Sequence, residues 1–349
     1  MSASPARPFG TSDVGPVQVL TVGHEPGPVL QVLDLGATIH TLTVTCGDGV
    51  RRNVVLGHAT AQEHLDSTDY LGGTIGRFAN RIRDGRFPLD GHEVRLGTND
   101  RGNALHGGPD GFDRRLWSVE EHGEDHLVLG LTSPDGDQGF PGTLAVTARF
   151  TVSDDGVRLD LAATTDAATV VSLTSHAYLN LGGEGEGTVD DHLLTLEADT
   201  WDPVDATGIP LGDPVPVDGT PFDLREPSRL GSVVRHPHPQ VAAARGLDHD
   251  VVVRGEGWRR VATLAAPSTR TRMELFSDQP ALQVYTGNGL DGTLGSTRGA
   301  FYRQGDGIAL EPQLPPDSPN RPAWAEASVL RPGTAYAASL AWVFGVLDD

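Results

Sequence analysis

The chain has 349 residues and a formal charge of −21, with 26 basic residues set against 47 acidic ones. Every basic residue is Arg, which excludes Schiff-base chemistry, pyridoxal-phosphate enzymes and Walker-type phosphate loops, all of which need a lysine. The negative balance repels phosphate backbones and anionic lipid, and so argues against nucleic acid or a membrane surface as partner.

Residues 1–10, rich in Ser, Pro and Ala, are expected to be loose, and they lack the basic start and apolar run of a signal peptide. No apolar stretch approaches the ~20 residues of a membrane span. Short apolar or alternating runs at 29–44, 126–132, 144–152, 157–163, 193–198, 261–265, 272–276 and 335–346 read as strands, with Gly, Pro, Asp and Ser between them. Helical patterning is confined to 61–65 and 240–245, too short for the crossovers that a parallel sheet needs. The expectation is an all-β chain: a large antiparallel β-sandwich forming a single domain over 11–349, with no Pro/Ser-rich linker and no internal repeat. The one cysteine, Cys46, allows no internal disulfide or cysteine zinc site and suits a reducing compartment. A cytoplasmic enzyme is expected.

Candidate chemistry appears in several separated segments. Gly76-Arg77-Phe78-Ala79-Asn80-Arg81-Ile82 is followed by Leu105-His106-Gly107-Gly108. Asn80, Arg81 and His106 bring an amide, a five-donor fork and an imidazole, which suit a ligand dense in hydroxyl oxygens. Taken singly, Arg81 reads equally well as the surface partner of an Asp, and His106 as a turn residue. In Leu173-Thr174-Ser175-His176-Ala177-Tyr178-Leu179-Asn180-Leu181, a period of two sets Thr174, His176, Tyr178 and Asn180 on one strand face. Asp248 opens an apolar run, where it also reads as a turn-forming Asp, and Gln283 and Tyr285 share a face by alternation. In Ile308-Ala309-Leu310-Glu311-Pro312-Gln313 the same alternation puts Glu311 and Gln313 together. Gly183 to Gly187 superficially resembles a nucleotide loop, but it lacks the following helix and places acids where phosphate would bind, so a hairpin loop is expected. His122 with His126 has helical metal spacing next to a Gly turn, and His236 with His238 lies among prolines; no metal site is expected from either.

Taken together and in this order, these segments closely resemble the aldose 1-epimerase, or galactose mutarotase, family, from about Val54 to Val346. Weaker agreement occurs at 139–142, 220–224 and 330–333. The resemblance implies a galactose mutarotase-like supersandwich with the sugar in a cleft across one sheet. It implies Glu311 as base and His176 as acid, with His106 the next candidate at the ring oxygen, and sugar contacts from Asn80, Arg81, Asp248 and Gln283. No cofactor and no metal are implied, and the partner is a small aldose such as galactose or glucose; monomer and homodimer stay open. Family members commonly carry Asn before the histidine, where this chain has Ser175. His176, with an ordinary pKa near ~6.5, is expected to donate at neutral pH, and Arg81 to keep Glu311 ionised. Phe78 and Trp324 are candidates to stack on the sugar. Two other readings stay open: a glycosidase or lyase using Glu311 and Asp248 as a carboxylate pair, and a catalytically silent sugar-binding or sensor protein. No extra basic cluster in these segments awaits a phosphorylated sugar.

Overall fold

Residues 5–347 are described by the structure, a computed structural model. Alternation of apolar and polar side chains builds the largest sheet, nine antiparallel strands in the spatial order Ser118–His122, His126–Ser133, Leu144–Val152, Gly156–Thr165, Tyr336–Val346, Thr271–Ser277, Arg259–Ala266, Leu193–Leu196 and Ser228–Arg229. Along Leu144–Val152, for example, every second residue is buried and the rest face outward. A second sheet has six strands, ordered Tyr178–Leu179, Ile308–Gln313, Ala281–Tyr285, Asp248–Val253, Ala198–Trp201 and Val215–Pro216. A third, of five strands from Arg7–Ser12 to Arg51–Asn53, lies in sequence order.

One buried cluster joins all three, with Leu20 and Val22 from the five-stranded sheet, Leu159 and Leu161 from the nine-stranded one, and Leu282 and Leu310 from the six-stranded one. The chain is thus an all-β sandwich, as its patterning implied. Helices are short: Ala61–Asp66, capped by Thr60 and Glu63, and Pro239–Ala244 answer the two helical patterns, and Leu230–Val233 adds a single turn. Of the segment 1–10 expected to be loose, residues 1–4 lie outside the described residues. From Arg7 onward the chain is instead paired with Gly15–Val22, since Phe9 packs against the small apolar cluster around Val17, Val19 and Leu65.

The six-stranded sheet decides where function sits. All six residues of Ile308–Gln313 are buried, so the strand has no solvent face, yet its two faces differ in chemistry. Ile308 and Leu310 enter the common core, while Ala309, Glu311 and Gln313 face the other way. Register carries this face across the sheet: Glu311 stands opposite Gln283 and Gln283 opposite Asp250, and in the next row Ala309 stands opposite Tyr285 and Tyr285 opposite Asp248.

Candidate active site

The polar segment around His176 does not form the single strand that its alternation predicts. Thr174–Ser175 pairs with Thr74–Ile75 and Tyr178–Leu179 with Ile308–Gln313, so the chain changes partners between them. His176 sits at this break, its N–H donating to Gly73 O at 2.9 Å and its carbonyl accepting from Gly72 N at 3.0 Å. His176 and Tyr178 still reach the site. Asn180 turns away, its amide donating to the carbonyls of Gly187 and Asp306.

Asn80 and His106 flank a two-stranded ribbon, Arg81–Ile82 with Ala104–Leu105. Both have positive φ, +66° and +52°, a conformation uncommon outside Gly but most accessible to Asn, Asp and His. Asn80 N–H donates to His106 Nδ1 at 3.1 Å, which leaves the proton of a neutral His106 on Nε2. Asn80 Oδ1 accepts from Arg81 N at 2.8 Å. Gly107, at φ +89°, could carry no side chain, because a Cβ there would lie 2.0 Å from Gly76 O.

Asn80, Arg81, His106, His176, Asp248, Gln283 and Glu311 all line one cavity of about 450 Å³. His176 Nε2 lies 3.6 Å from Glu311 Oε1, too far for a good hydrogen bond and close enough for a reacting centre to engage both. Gln283 Nε2 donates to Asp248 Oδ1 at 2.6 Å. Arg81 Nε donates to Asp100 Oδ2 at 2.7 Å, and its Nη2 lies 3.7 Å from Asp248 Oδ2. Asp248 is therefore committed to Gln283 and Arg81, while Glu311 stands beside the imidazole.

Burial governs the electrostatics. It raises Glu311 well above the usual carboxylate range, and nearby Asp248 adds to the effect. Arg81 opposes this without reversing it, being drawn to Asp100 and Asp248; the expectation that it keeps Glu311 ionised is overturned. Burial likewise lowers His176 to about 4 and His106 well below its ordinary value, the latter helped by His176 and Arg81. An isolated His176 is thus neutral at pH 7, contrary to the sequence expectation. Burial also lowers Arg81, but Asp248 and Asp100 more than compensate, so its net shift is upward.

Ligand atoms of His106, His176 and Glu311 fall within 4.8 Å of one another. A metal would need the Nε2 lone pair of His106, where the Asn80 hydrogen bond places a proton, so the trio is better suited to proton traffic than to metal binding. Neither expected stacking residue lines this cavity. Phe78 is buried in a satellite core, and Trp324 borders a larger hollow of about 730 Å³ with Arg83, Asp317 and Arg321, which contains no comparable acid–base pair. The aromatic walls are Tyr70, Tyr178 and Tyr285, with Tyr70 and His106 edge to face at 4.6 Å. Sequence reasoning had placed Tyr178 and Tyr285 on the correct faces. It passed over Tyr70 and Asp100, whose only local mark is a turn setting beside Gly72 and Gly102.

Comparison with known proteins agrees over nearly the full length. A sequence model of the family described as aldose 1-epimerase matches residues 18–342. The chain is 36% identical over 337 residues to aldose 1-epimerase of Escherichia coli K12, covering 95% of this chain and 96% of the relative. It is 39% identical over 310 residues to human galactose mutarotase, covering 88% of each. Among solved structures, galactose 1-epimerase of Lactobacillus acidophilus superposes with a TM-score of 0.87 at 28% identity, covering 98% of both chains.

Proposed function

The chain belongs to the aldose 1-epimerase family and is an isomerase that interconverts the α and β anomers of an aldose; from that premise we propose that Glu311 and His176 perform the proton transfers. The observation that carries this reading is the convergence of Asn80, Arg81, His106, His176, Asp248, Gln283 and Glu311, from widely separated segments, on one cavity with His176 Nε2 and Glu311 Oε1 3.6 Å apart.

In ring opening, Glu311 as carboxylate takes the proton of the C1 hydroxyl, the C1=O bond forms as the C1–O5 bond breaks, and O5 takes a proton from imidazolium His176. The pair begins as Glu⁻/HisH⁺ and ends as GluH/His, holding one proton throughout. After rotation about C1–C2, the same transfers in reverse close the ring on the other face of the carbonyl. Burial, which raises Glu311 and lowers His176, favours the neutral pair, the form that accompanies the open-chain sugar. The charged pair that attacks the ring forms by moving one proton between neighbours rather than by drawing one from solvent. His106, with its proton on Nε2, donates to the ring oxygen or an adjacent hydroxyl. Asn80, Arg81, Asp248 and Gln283 hold the remaining hydroxyls.

The same reading takes glucose or galactose as substrate, a cytoplasmic location consistent with the single buried free Cys46, and a monomer or homodimer. It also takes the chain as one domain, supported by the buried cluster that joins its three sheets. Among the described residues, no helix is long and apolar enough to cross a membrane.

Polarimetry on freshly dissolved α-D-glucose and α-D-galactose tests the assignment. Native protein should speed the approach to equilibrium, and Glu311→Gln and His176→Asn should each lower kcat by about 10²- to 10⁴-fold, the usual worth of a positioned acid or base. A folded Glu311→Gln variant of near-native rate removes Glu311 from the role of base.

A further inference from the structure

One row of side chains on the site face crosses three strands and reaches the residue that follows a fourth, Ala198–Trp201, and only one end of it belongs to the chemistry described above. Glu311 faces Gln283 and Gln283 faces Asp250; Asp202, whose N–H donates to Asp250 O at 2.9 Å, continues the row. At the far end Asp202 is held by Arg321, Nη1 to Oδ2 at 2.6 Å and Nη2 to Oδ1 at 3.0 Å. Asp250 is 1% exposed, and neither of its carboxyl oxygens has a hydrogen-bond partner. Gln283 Oε1 and Glu311 Oε2 are likewise buried and unpartnered.

Such atoms are costly to leave unpaired, and the amide oxygen of Gln283 can only accept. An ionised Asp250 would add a further acceptor to the row. Its charge would also lie beside that of Asp202, with Arg321 already committed to Asp202. A protonated Asp250 supplies the missing donor. We propose that Asp250 is a positioning residue for the sugar site: as a neutral carboxylic acid its hydroxyl donates to Gln283 Oε1, which fixes the amide with Nε2 on Asp248 and facing the sugar.

The proposal rests on the mutarotase reading of the site and extends it to a residue outside the cavity wall. Burial and Asp202 both push Asp250 well above the ordinary carboxylate range, in the direction required. An ionised Asp250 would instead attract Gln283 Nε2 and turn Oε1 toward Asp248, setting acceptor against acceptor where the sugar hydroxyls are held. Among the described residues, the other unpartnered amide donor on this face is Gln313 Nε2, on the strand of Glu311 and separated from Asp250 by Ala281–Tyr285, while the proton of Glu311 is the one exchanged on the His176 side, where Oε1 lies 3.6 Å from Nε2.

Two substitutions separate the roles. Asp250→Asn keeps a neutral donor and should leave KM and kcat for glucose within about twofold of native. Asp250→Val puts in an apolar side chain that suits a strand but removes the donor, and should raise KM about five- to tenfold with little change in kcat, the worth of one lost hydrogen bond. Independently, the infrared C=O band of a protonated carboxylic acid in native protein at neutral pH should lose intensity in Asp250→Asn. The proposal is overturned if Asp250→Asn raises KM as much as Asp250→Val, if Asp250→Val leaves KM unchanged because Gln313 supplies the hydrogen bond, or if the infrared band is the same in native and Asp250→Asn protein. A native protein that failed to speed anomer exchange would overturn the functional reading instead, with the infrared difference still judging Asp250.

Discussion

Burial moves Glu311 and His176 in opposite directions, and the consequence is a pair that keeps a single proton over a wide pH range. Below the value of His176, about 4, the pair gains a second proton and Glu311 can no longer act as base. Above the raised value of Glu311 the pair loses its only proton and His176 has none to give. The pH–rate profile of kcat/KM should therefore be a plateau with an acid limb near 4 and an alkaline limb displaced far upward from the carboxylate range. Initial mutarotation rates across pH, corrected for the uncatalysed reaction, check this; an acid limb near 6.5 would mean that His176 titrates as an exposed imidazole does.

At the scale of elements, the site depends on short pieces of chain held in demanding conformations. His106 and Asn80 stand in the left-handed region at the end of a two-stranded ribbon, and Gly107 lets the chain turn beneath them against Gly76 O. Gly107→Ala places a methyl 2.0 Å from that oxygen at a φ of +89°. It should displace His106 and lower kcat by about tenfold or more, since small misplacements of catalytic groups are costly, while destabilising the fold by about 1–3 kcal/mol. Polarimetry and thermal unfolding of the same variant check both effects. The loop Gly183 to Gly187 illustrates the reverse case, with acids serving structure: Glu184 accepts from Tyr302 Oη at 2.6 Å, Thr297 N at 3.0 Å and Asn53 Nδ2 at 2.9 Å, joining that loop to the Phe301–Arg303 hairpin and the Arg51–Asn53 strand.

Across the whole molecule, three imidazoles from different elements meet away from the site. His64 lies 5.9 Å from His40 and 5.0 Å from His58, ring to ring, and each of the three has a buried nitrogen without a partner. Burial lowers all three, His40 to about 4. A lowered folded value means that protons bind the unfolded chain first. The stability these neutral rings contribute is complete above about 6.5 and is lost as pH falls toward 4, at about 3 kcal/mol for His40 alone. Replacing His58 and His64 together by Phe should therefore raise Tm relative to native protein more at about pH 4.5 than at about pH 7.5; an equal difference at both would show the rings to be accessible to protons in the fold. Much of this molecule was legible before folding, because β patterning is local: alternating or short apolar runs marked strands such as 144–152, whose every second residue the fold then buries. The family-like segments named the cavity residues from Asn80 to Glu311. What the linear chain left open arises from pairing between distant segments. The break at His176 depends on two different partner strands, and the commitment of Arg81 to Asp100 and Asp248 depends on folding the carboxylates to it. The reversed balance of charge on Glu311 and His176 follows from desolvation, which no spacing of residues encodes and only enclosure by the folded chain can impose.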